Sequence, residues 1–517
     1  MRAESLYEPG QTCRLDMPLI VLANREPIQH DRAPDGRIVE RTSASGLVTA
    51  LQPLIESCGG VWVAHGSGSA DQVMVDRRDG LDVPPANPRY RLRRVWLSEK
   101  ELQGFYYGFS NEGLWPLCHQ VHVQPLFRSA DFDFYRAVNR RFAEAVCEEA
   151  RDDAQMNGEP PLILVQDYHF ALAPWWIRKN LPRGTIVTFW HIPWPNPRQF
   201  EICPWGRQLL SGLLASSLVG FQTPLDRDNF IDSVEALLPA QVNRDRTVVT
   251  YRGRATTVRA HPISIEWPNR WACQSPSIQQ CRDSVCRELQ LPRDIRLGVG
   301  VDRLDYTKGI CEKLAAVEKL LESCPALVGN FVFVQIAEPS RSALPAYQEL
   351  RQRLVDTVDR INSRFRASFY PSVVCLESHH EQADVYRYLR AADLCFVASL
   401  RDGMNLVAKE FVAARDDDRG VLVLSRFAGA ARELPGALIV NPYSIDASAR
   451  ALVRALEMSD EDQAVRMRSM RAIVARFSAR RWVSDLINDA VALRGGTRWW
   501  TRQQADARPR PESRVYS

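Results

Sequence analysis

The chain has 517 residues, of which 45% are hydrophobic, 25% charged and 9% aromatic, a globular balance with length for two large α/β units or about three ordinary domains. Lys and Arg total 66 against 62 Asp and Glu, a net charge of +4, which implies no nucleic acid or other polyanion as partner. The longest mostly apolar stretch, Leu209 to Phe221, is broken by three serines and two glycines and is too short to cross a bilayer, so no membrane association is expected.

In chain order, the opening MRAESLYEPGQTCRLD lacks the apolar core of a secretory signal. Short, nearly all-apolar runs then predict strands at Pro18–Ala23, Leu162–Gln166, Thr185–Trp190 and Ser217–Gln222. A second set follows at Arg296–Val301, Phe331–Ile336, Ser372–Leu376, Asp393–Ala398, Gly420–Leu424 and Ala437–Val440. Runs without polar alternation fit parallel strands buried on both faces. Apolar spacing and good helix formers predict helices over Lys308–Glu322, Ala346–Phe365 and Val407–Asp416, and strand–helix alternation of this kind argues for doubly wound sheets. The alternation breaks at His261–Ser275 in the run HPISIEWPNRWACQS, which marks a domain boundary. After Leu493 the chain turns rich in Arg, Gly and Pro and is expected to lose order. The twelve cysteines are scattered without a C-x-x-C pair; they read as reduced thiols of a cytoplasmic protein.

Two segments carry the strongest chemical signal. Gly300-Val-Asp-Arg303-Leu-Asp-Tyr-Thr-Lys308-Gly309 follows a strand and opens a helix, so two cations sit beside a helix amino end. That suits a diphosphate; a solvated basic loop is the equal alternative. Ser399-Leu-Arg401-Asp402-Gly403-Met404-Asn405-Leu406 again joins strand to helix. Gly403 permits close backbone approach, the following N–H groups can hold phosphate or sugar oxygens, and Asp402 can accept from sugar hydroxyls. Glu410 lies ~12 Å further along the helix, within reach of the far end of a nucleotide, although a lone helix carboxylate is more often a surface residue.

In the amino half, Asp167 and His191 end strands where they can meet sugar hydroxyls, while His169 reads as structural. Arg25 adds a cation at the same edge. The aromatic run from Phe105 through Tyr106 to Trp115 offers stacking surface, or simply core. The run from Gly66 to Asp71 lacks the third glycine of a dinucleotide loop, and no P-loop, H-E-x-x-H or G-x-S-x-G motif occurs. His379-His380 lacks metal-ligand spacing.

Together GVDRLDYTKGI, LRDGMNLVAKEFVA, VQDYHF, HIPWP, YYGFSNEGLWP, SRFAGAARELPGALIVNPY and LANREP resemble the trehalose-6-phosphate synthase family, in order from about Leu19 to Trp482. The resemblance implies an α/β fold of the GT-B type, with two Rossmann-like domains facing across a cleft. It implies transfer of glucose, with retention, from UDP-glucose to glucose 6-phosphate, with no metal or other cofactor required. The expected layout is a disordered tail over 1–16, an acceptor domain over 17–265 and a nucleotide-sugar domain over 266–478. A helix over 479–495 would cross back to the first domain, and 496–517 would form a second disordered tail.

Carried over by position, Arg303 and Lys308 should grip the donor diphosphate. Asp402, Gly403, Met404, Asn405 and Leu406 should hold the donor, and Glu410 the ribose hydroxyls. Asp167 and His191 should meet the reacting centre. Arg25, Tyr106, Trp115 and Arg341 should bind the acceptor phosphate, with Asp167 also on the acceptor side. Three departures fall on that side: His65 where the family has Trp, Ser45 in the loop Ser43–Leu47, and Trp194 in HIPWP. They leave open another phosphorylated acceptor such as glycerol 3-phosphate, or another nucleoside diphosphate glucose. A non-catalytic sugar-phosphate sensor is the alternative of a different class. A separate phosphatase is expected downstream, and a homo-oligomer is possible.

Overall fold

The computed structural model describes residues 19–42, 46–157, 160–366 and 370–506, with side chains given except at 152–157 and 495–506. The expected tail over 1–16, the loop residues Ser43–Ser45 and residues 507–517 lie outside the described residues.

Every strand expected from the sequence is present. Thr185–Trp190 shows why: all six of its residues are buried, as a strand covered by helices on both faces must be. These strands form two sheets. The first has ten strands and a parallel centre in the order Arg254–Ala260, Leu218–Phe221, Thr185–Trp190, Leu162–Gln166, Leu19–Leu22, Val61–His65 and Tyr90–Val95. Antiparallel strands close both of its edges. The second is wholly parallel, in the order Val373–Leu376, Phe331–Glu338, Arg296–Arg303, Leu394–Val397, Val421–Ser425 and Leu438–Val440.

Both sheets start in the middle, build to one side, then return and build to the other. In each the strand order therefore reverses once, and ligands of such sheets bind outside the strand carboxyl ends at that reversal. The reversal of the first sheet lies between Leu19–Leu22 and Leu162–Gln166; that of the second lies between Arg296–Arg303 and Leu394–Val397. Arg25 and Asp167 follow the first pair. Arg303, Lys308 and the Asp402 loop follow the second.

The chain passes between the sheets once through His261–Ile265 and again at Ala479, whose N–H donates to the Ile265 carbonyl at 2.8 Å. From there the helix Ala479–Asp506 runs back along the first sheet and continues past Leu493. Trp482 meets Phe189 edge-on at 5.1 Å and donates to the His261 carbonyl at 3.1 Å, and Arg494 donates to Thr185 Oγ1 at 2.6 Å.

Among the described residues, no helix is long and apolar enough to cross a membrane.

Candidate active site

Loops from the two reversals touch. A Cβ on Gly403 would collide with the His191 carbonyl, so only glycine lets those two backbones approach so closely; one on Gly46 would meet the end of the Leu406 side chain. Arg341 NH2 reaches the Tyr168 hydroxyl at 3.3 Å, from the second half to the first. The residues expected to form a site therefore gather where these loops meet, in two groups.

In the first group Lys308 is buried, and its Nζ donates to Asp402 Oδ2 at 2.5 Å. Ser399 Oγ and Asn405 Nδ2 donate to the same oxygen at 3.3 and 3.2 Å. Burial opposes charge on Asp402, but Lys308 and these donors outweigh it and hold the carboxyl below the usual range. Asn405 adopts φ +73° and caps the helix Leu406–Ala414, accepting from the Ala408 N–H at 3.2 Å. The carbonyls of Asp402 and Met404 are taken by Gly429 and Ala430. Among the described residues, the N–H groups of Gly403, Met404 and Asn405 donate to no protein acceptor, so three donors beside a lysine remain for an anion. Glu410 sits in the second turn of the same short helix, and burial alone raises its carboxyl to about 7.

In the second group three arginines converge. The Arg341 guanidinium lies 4.1 Å from the Trp115 ring centre and that of Arg303 lies 5.7 Å from it. Burial, then the neighbouring charges of Arg303 and Arg341, lower the pKa of Arg25. Tyr106 sits among all three; burial favours its phenol, but the arginines prevail and lower its pKa. Trp115 Nε1 and Arg341 Nε are buried donors without a partner. Like charges held this close, with donors unused, fit a dianionic ligand.

The scaffold explains the placement. Tyr106 lies within, and Trp115 directly after, a helix over Leu102–Leu114 wound with i→i+5 hydrogen bonds, closed by Trp115 N–H on the Ser110 carbonyl. Ser110 Oγ and Asn111 Nδ2 also bond back five residues, at 2.7 and 2.8 Å. Such wide turns are rare and concentrate at functional sites. Here Gly104 and Gly108 let the helix press on Phe134 and Asp131, which a Cβ would strike.

Between the two groups, Asp167 adopts φ +70° and accepts from the His191 N–H at 3.1 Å. Burial raises its carboxyl to about 6, against backbone donors and the pull of Arg341 and Arg303. Burial lowers the His191 imidazole to about 3, so the ring is neutral. Both its nitrogens are engaged, Nε2 with Gln166 Oε1 at 2.9 Å and Nδ1 with Gln222 Nε2 at 3.3 Å. Arg341 has φ +50°; non-glycine residues in this region are strained, and strain gathers at working sites.

Sequence reasoning missed Asp305, which organises both sides. Its Oδ1 accepts from Thr307 N–H and Oγ1 at 3.0 and 2.9 Å, fixing the loop that carries Lys308. Its Oδ2 accepts from Arg341 NH1 at 3.0 Å and Tyr347 hydroxyl at 3.2 Å. Burial works against its charge, yet Arg341, Arg303 and Lys308 hold it down to about 2. Asp305 lies inside the quoted GVDRLDYTKGI run, but its partner Tyr347 is 42 residues away. His169, read as structural, stacks flat on Tyr106 at 5.7 Å and 8°. Of the three departures, His65 is held by the Val95 carbonyl at 3.1 Å. Trp194 is fully buried with its N–H on Ser233 Oγ, and Ser45 lies outside the described residues. No group of three or more His, Cys, Asp or Glu among the described residues is placed to hold a metal.

The model of glycosyltransferase family 20 matches residues 18–492. A trehalose-6-phosphate synthase of Mycobacterium sp. (strain KMS) is 37% identical over 493 residues, spanning 93% of this chain and 97% of the relative. One from Mycobacterium tuberculosis (strain CDC 1551 / Oshkosh) is 37% identical over 485 residues, spanning 92% and 95%. Among solved structures, one described as trehalose-6-phosphate from E. coli bound with UDP-2-fluoro glucose matches with a TM-score of 0.80 at 33% identity, covering 92% of this chain and 98% of that one. The UDP-forming α,α-trehalose-phosphate synthase of Burkholderia xenovorans in complex with glucose-6-phosphate matches with a TM-score of 0.78 at 31% identity, covering 91% and 99%.

Proposed function

The chain belongs to glycosyltransferase family 20, and from that membership we propose how its cleft divides the work of the reaction. The protein is a GT-B enzyme that transfers glucose, with retention, from UDP-glucose to glucose 6-phosphate, giving trehalose 6-phosphate and UDP. The acceptor phosphate enters among Arg25, Arg303, Arg341, Tyr106 and Trp115. The observation that carries this reading is the convergence of three arginines on two aromatic side chains; among the described residues only Asp305 is ion-paired with any of them, and the excess positive charge suits an arriving anion.

The donor diphosphate lies against Lys308 and the N–H groups of Gly403, Met404 and Asn405, with the ribose toward Glu410. As the glycosidic bond breaks, negative charge builds on the diphosphate, and these fixed donors stabilise it without reorganising. Arg303 stands where the two groups meet and can serve both anions. Asp167 and the His191 backbone lie between them, beside the transferred glucose. The product keeps its phosphate, so a separate phosphatase would release trehalose, and the setting proposed is the cytoplasm.

The test is a panel of UDP- and other nucleoside diphosphate glucoses against glucose 6-phosphate and glycerol 3-phosphate, read as nucleotide release. Fastest release with UDP-glucose and glucose 6-phosphate is expected. Preference for glycerol 3-phosphate would move the acceptor assignment, and no release with any pair would favour a sensor.

A further inference from the structure

Gln222 ends the strand Leu218–Phe221 and is buried, yet each end of its amide is used. Its Oε1 accepts from the Ile263 N–H at 2.9 Å, on the segment that joins the two sheets. Its Nε2 lies 3.3 Å from His191 Nδ1. Its Cγ would be 3.4 Å from a Cβ on Gly403, so the same side chain lines the seat of the donor loop.

A backbone N–H can only donate. Oε1 is therefore fixed on Ile263, and it is the NH2 end of Gln222 that faces the imidazole. Nδ1 must then accept, the neutral ring carries its proton on Nε2, and Nε2 donates to Gln166 Oε1. The tautomer is thus set from the inter-sheet segment inward. The Ile263 carbonyl accepts from Lys409 Nζ at 2.8 Å. Lys409 is buried beside Glu410 on the donor helix and pairs with Glu433 at 2.7 Å. One chain of hydrogen bonds therefore runs from the donor helix through Ile263 and Gln222 to His191 and Gln166.

We propose that Gln222 is a positioning residue for glucosyl transfer, holding the His191 ring in its Nε2–H form and so seating the His191 carbonyl against Gly403. The proposal rests on the transferase reading of the cleft. A ring with both nitrogens occupied is not the proton carrier; what it contributes is a fixed backbone at the point where the two halves meet.

Two variants separate this role from packing. Gln222→Glu keeps an acceptor for the Ile263 N–H but puts a carboxylate oxygen opposite Nδ1, so a proton must sit on Nδ1, either by a tautomer shift that gives up the Nε2–H bond to Gln166 or by protonation of the ring. Gln222→Met keeps the volume and loses both contacts. The readouts are kcat and KM by UDP release, thermal unfolding, and ring 15N shifts of His191 in histidine-labelled protein, assigned with His191→Gln. A fall in kcat of about 10- to 100-fold is expected in both variants, with either KM within about 3-fold. The parent should show Nε2–H, and Gln222→Glu should show a proton on Nδ1. A kcat within about 2-fold of the parent in both variants, or an Nδ1–H ring in the parent, would overturn the proposal. If the parent releases no UDP, the transferase reading fails instead, and the tautomer comparison alone still decides whether Gln222 holds the ring.

Discussion

The two sides of the cleft keep their positive charge in opposite ways. On the donor side Lys308 is already paired with Asp402, so an incoming diphosphate must compete for a cation that is spoken for. On the acceptor side, Arg25 and Arg303 have no carboxylate within ion-pair distance among the described residues. Arg341 rests on an aromatic face and on phenols, with Asp305 as its one acidic partner. A paired cation costs the free protein less than a bare one, because attraction to its partner offsets part of the desolvation penalty. Bare cations store repulsion that a dianion relieves on arrival. The difference teaches that the acceptor side is preset for binding, while the donor side can change partners as charge develops.

Replacing Lys308 by Ala gives the largest expected effect. It leaves Asp402 buried without its cation and removes a donor to the leaving group, and kcat should fall by about 100-fold or more. Steady-state UDP release checks this, and near-normal turnover would mean that Lys308 serves Asp402 alone. Arg25→Ala should act on binding instead, raising the KM for glucose 6-phosphate by about 10- to 100-fold, the worth of one charged hydrogen bond. With unphosphorylated glucose as acceptor the same variant should match the parent. If it weakens both acceptors equally, the arginine shapes the site rather than meeting the phosphate.

The smallest effect concerns Glu410. Its carboxyl sits at about 7 in the free protein because burial disfavours the charge, whereas ribose hydroxyls donate best to the ionised form. Binding should therefore release a proton, and UDP affinity should rise by about 10-fold from pH 6 to pH 8, then level off. Titration calorimetry across that range should show the rise in the parent and a flat profile in Glu410→Gln. A flat profile in the parent would place the ribose elsewhere.

How much of this could be read in the chain differs between the two halves for a physical reason. Strands buried on both faces, such as TIVTFW or FVFVQI, announce themselves because nearly every position is apolar. The strand Tyr90–Val95 did not, since it carries three arginines; Arg94 is buried only because Glu26 and Asp71 neutralise it at 2.8 and 2.7 Å. The helix Leu102–Leu114 was legible as an aromatic run and not as a helix. Its wide winding abolishes the 3.6-residue spacing, and its glycines argue against helix. At the site, residue types and loop positions were visible for Arg303, Lys308 and Asp402. The pairing of Lys308 with Asp402 joins positions 94 apart, and no local pattern encodes it. Gln222 was read only as the end of a strand, because its importance lies in what Ile263 and His191 offer it.

The return of the chain at Ala479 has a mechanical consequence. Two crossings, bonded to each other through Ala479 and Ile265, connect the halves like the paired leaves of a door hinge. Such a joint resists twist or slippage between the sheets, and so keeps Gly403 in register with the His191 carbonyl.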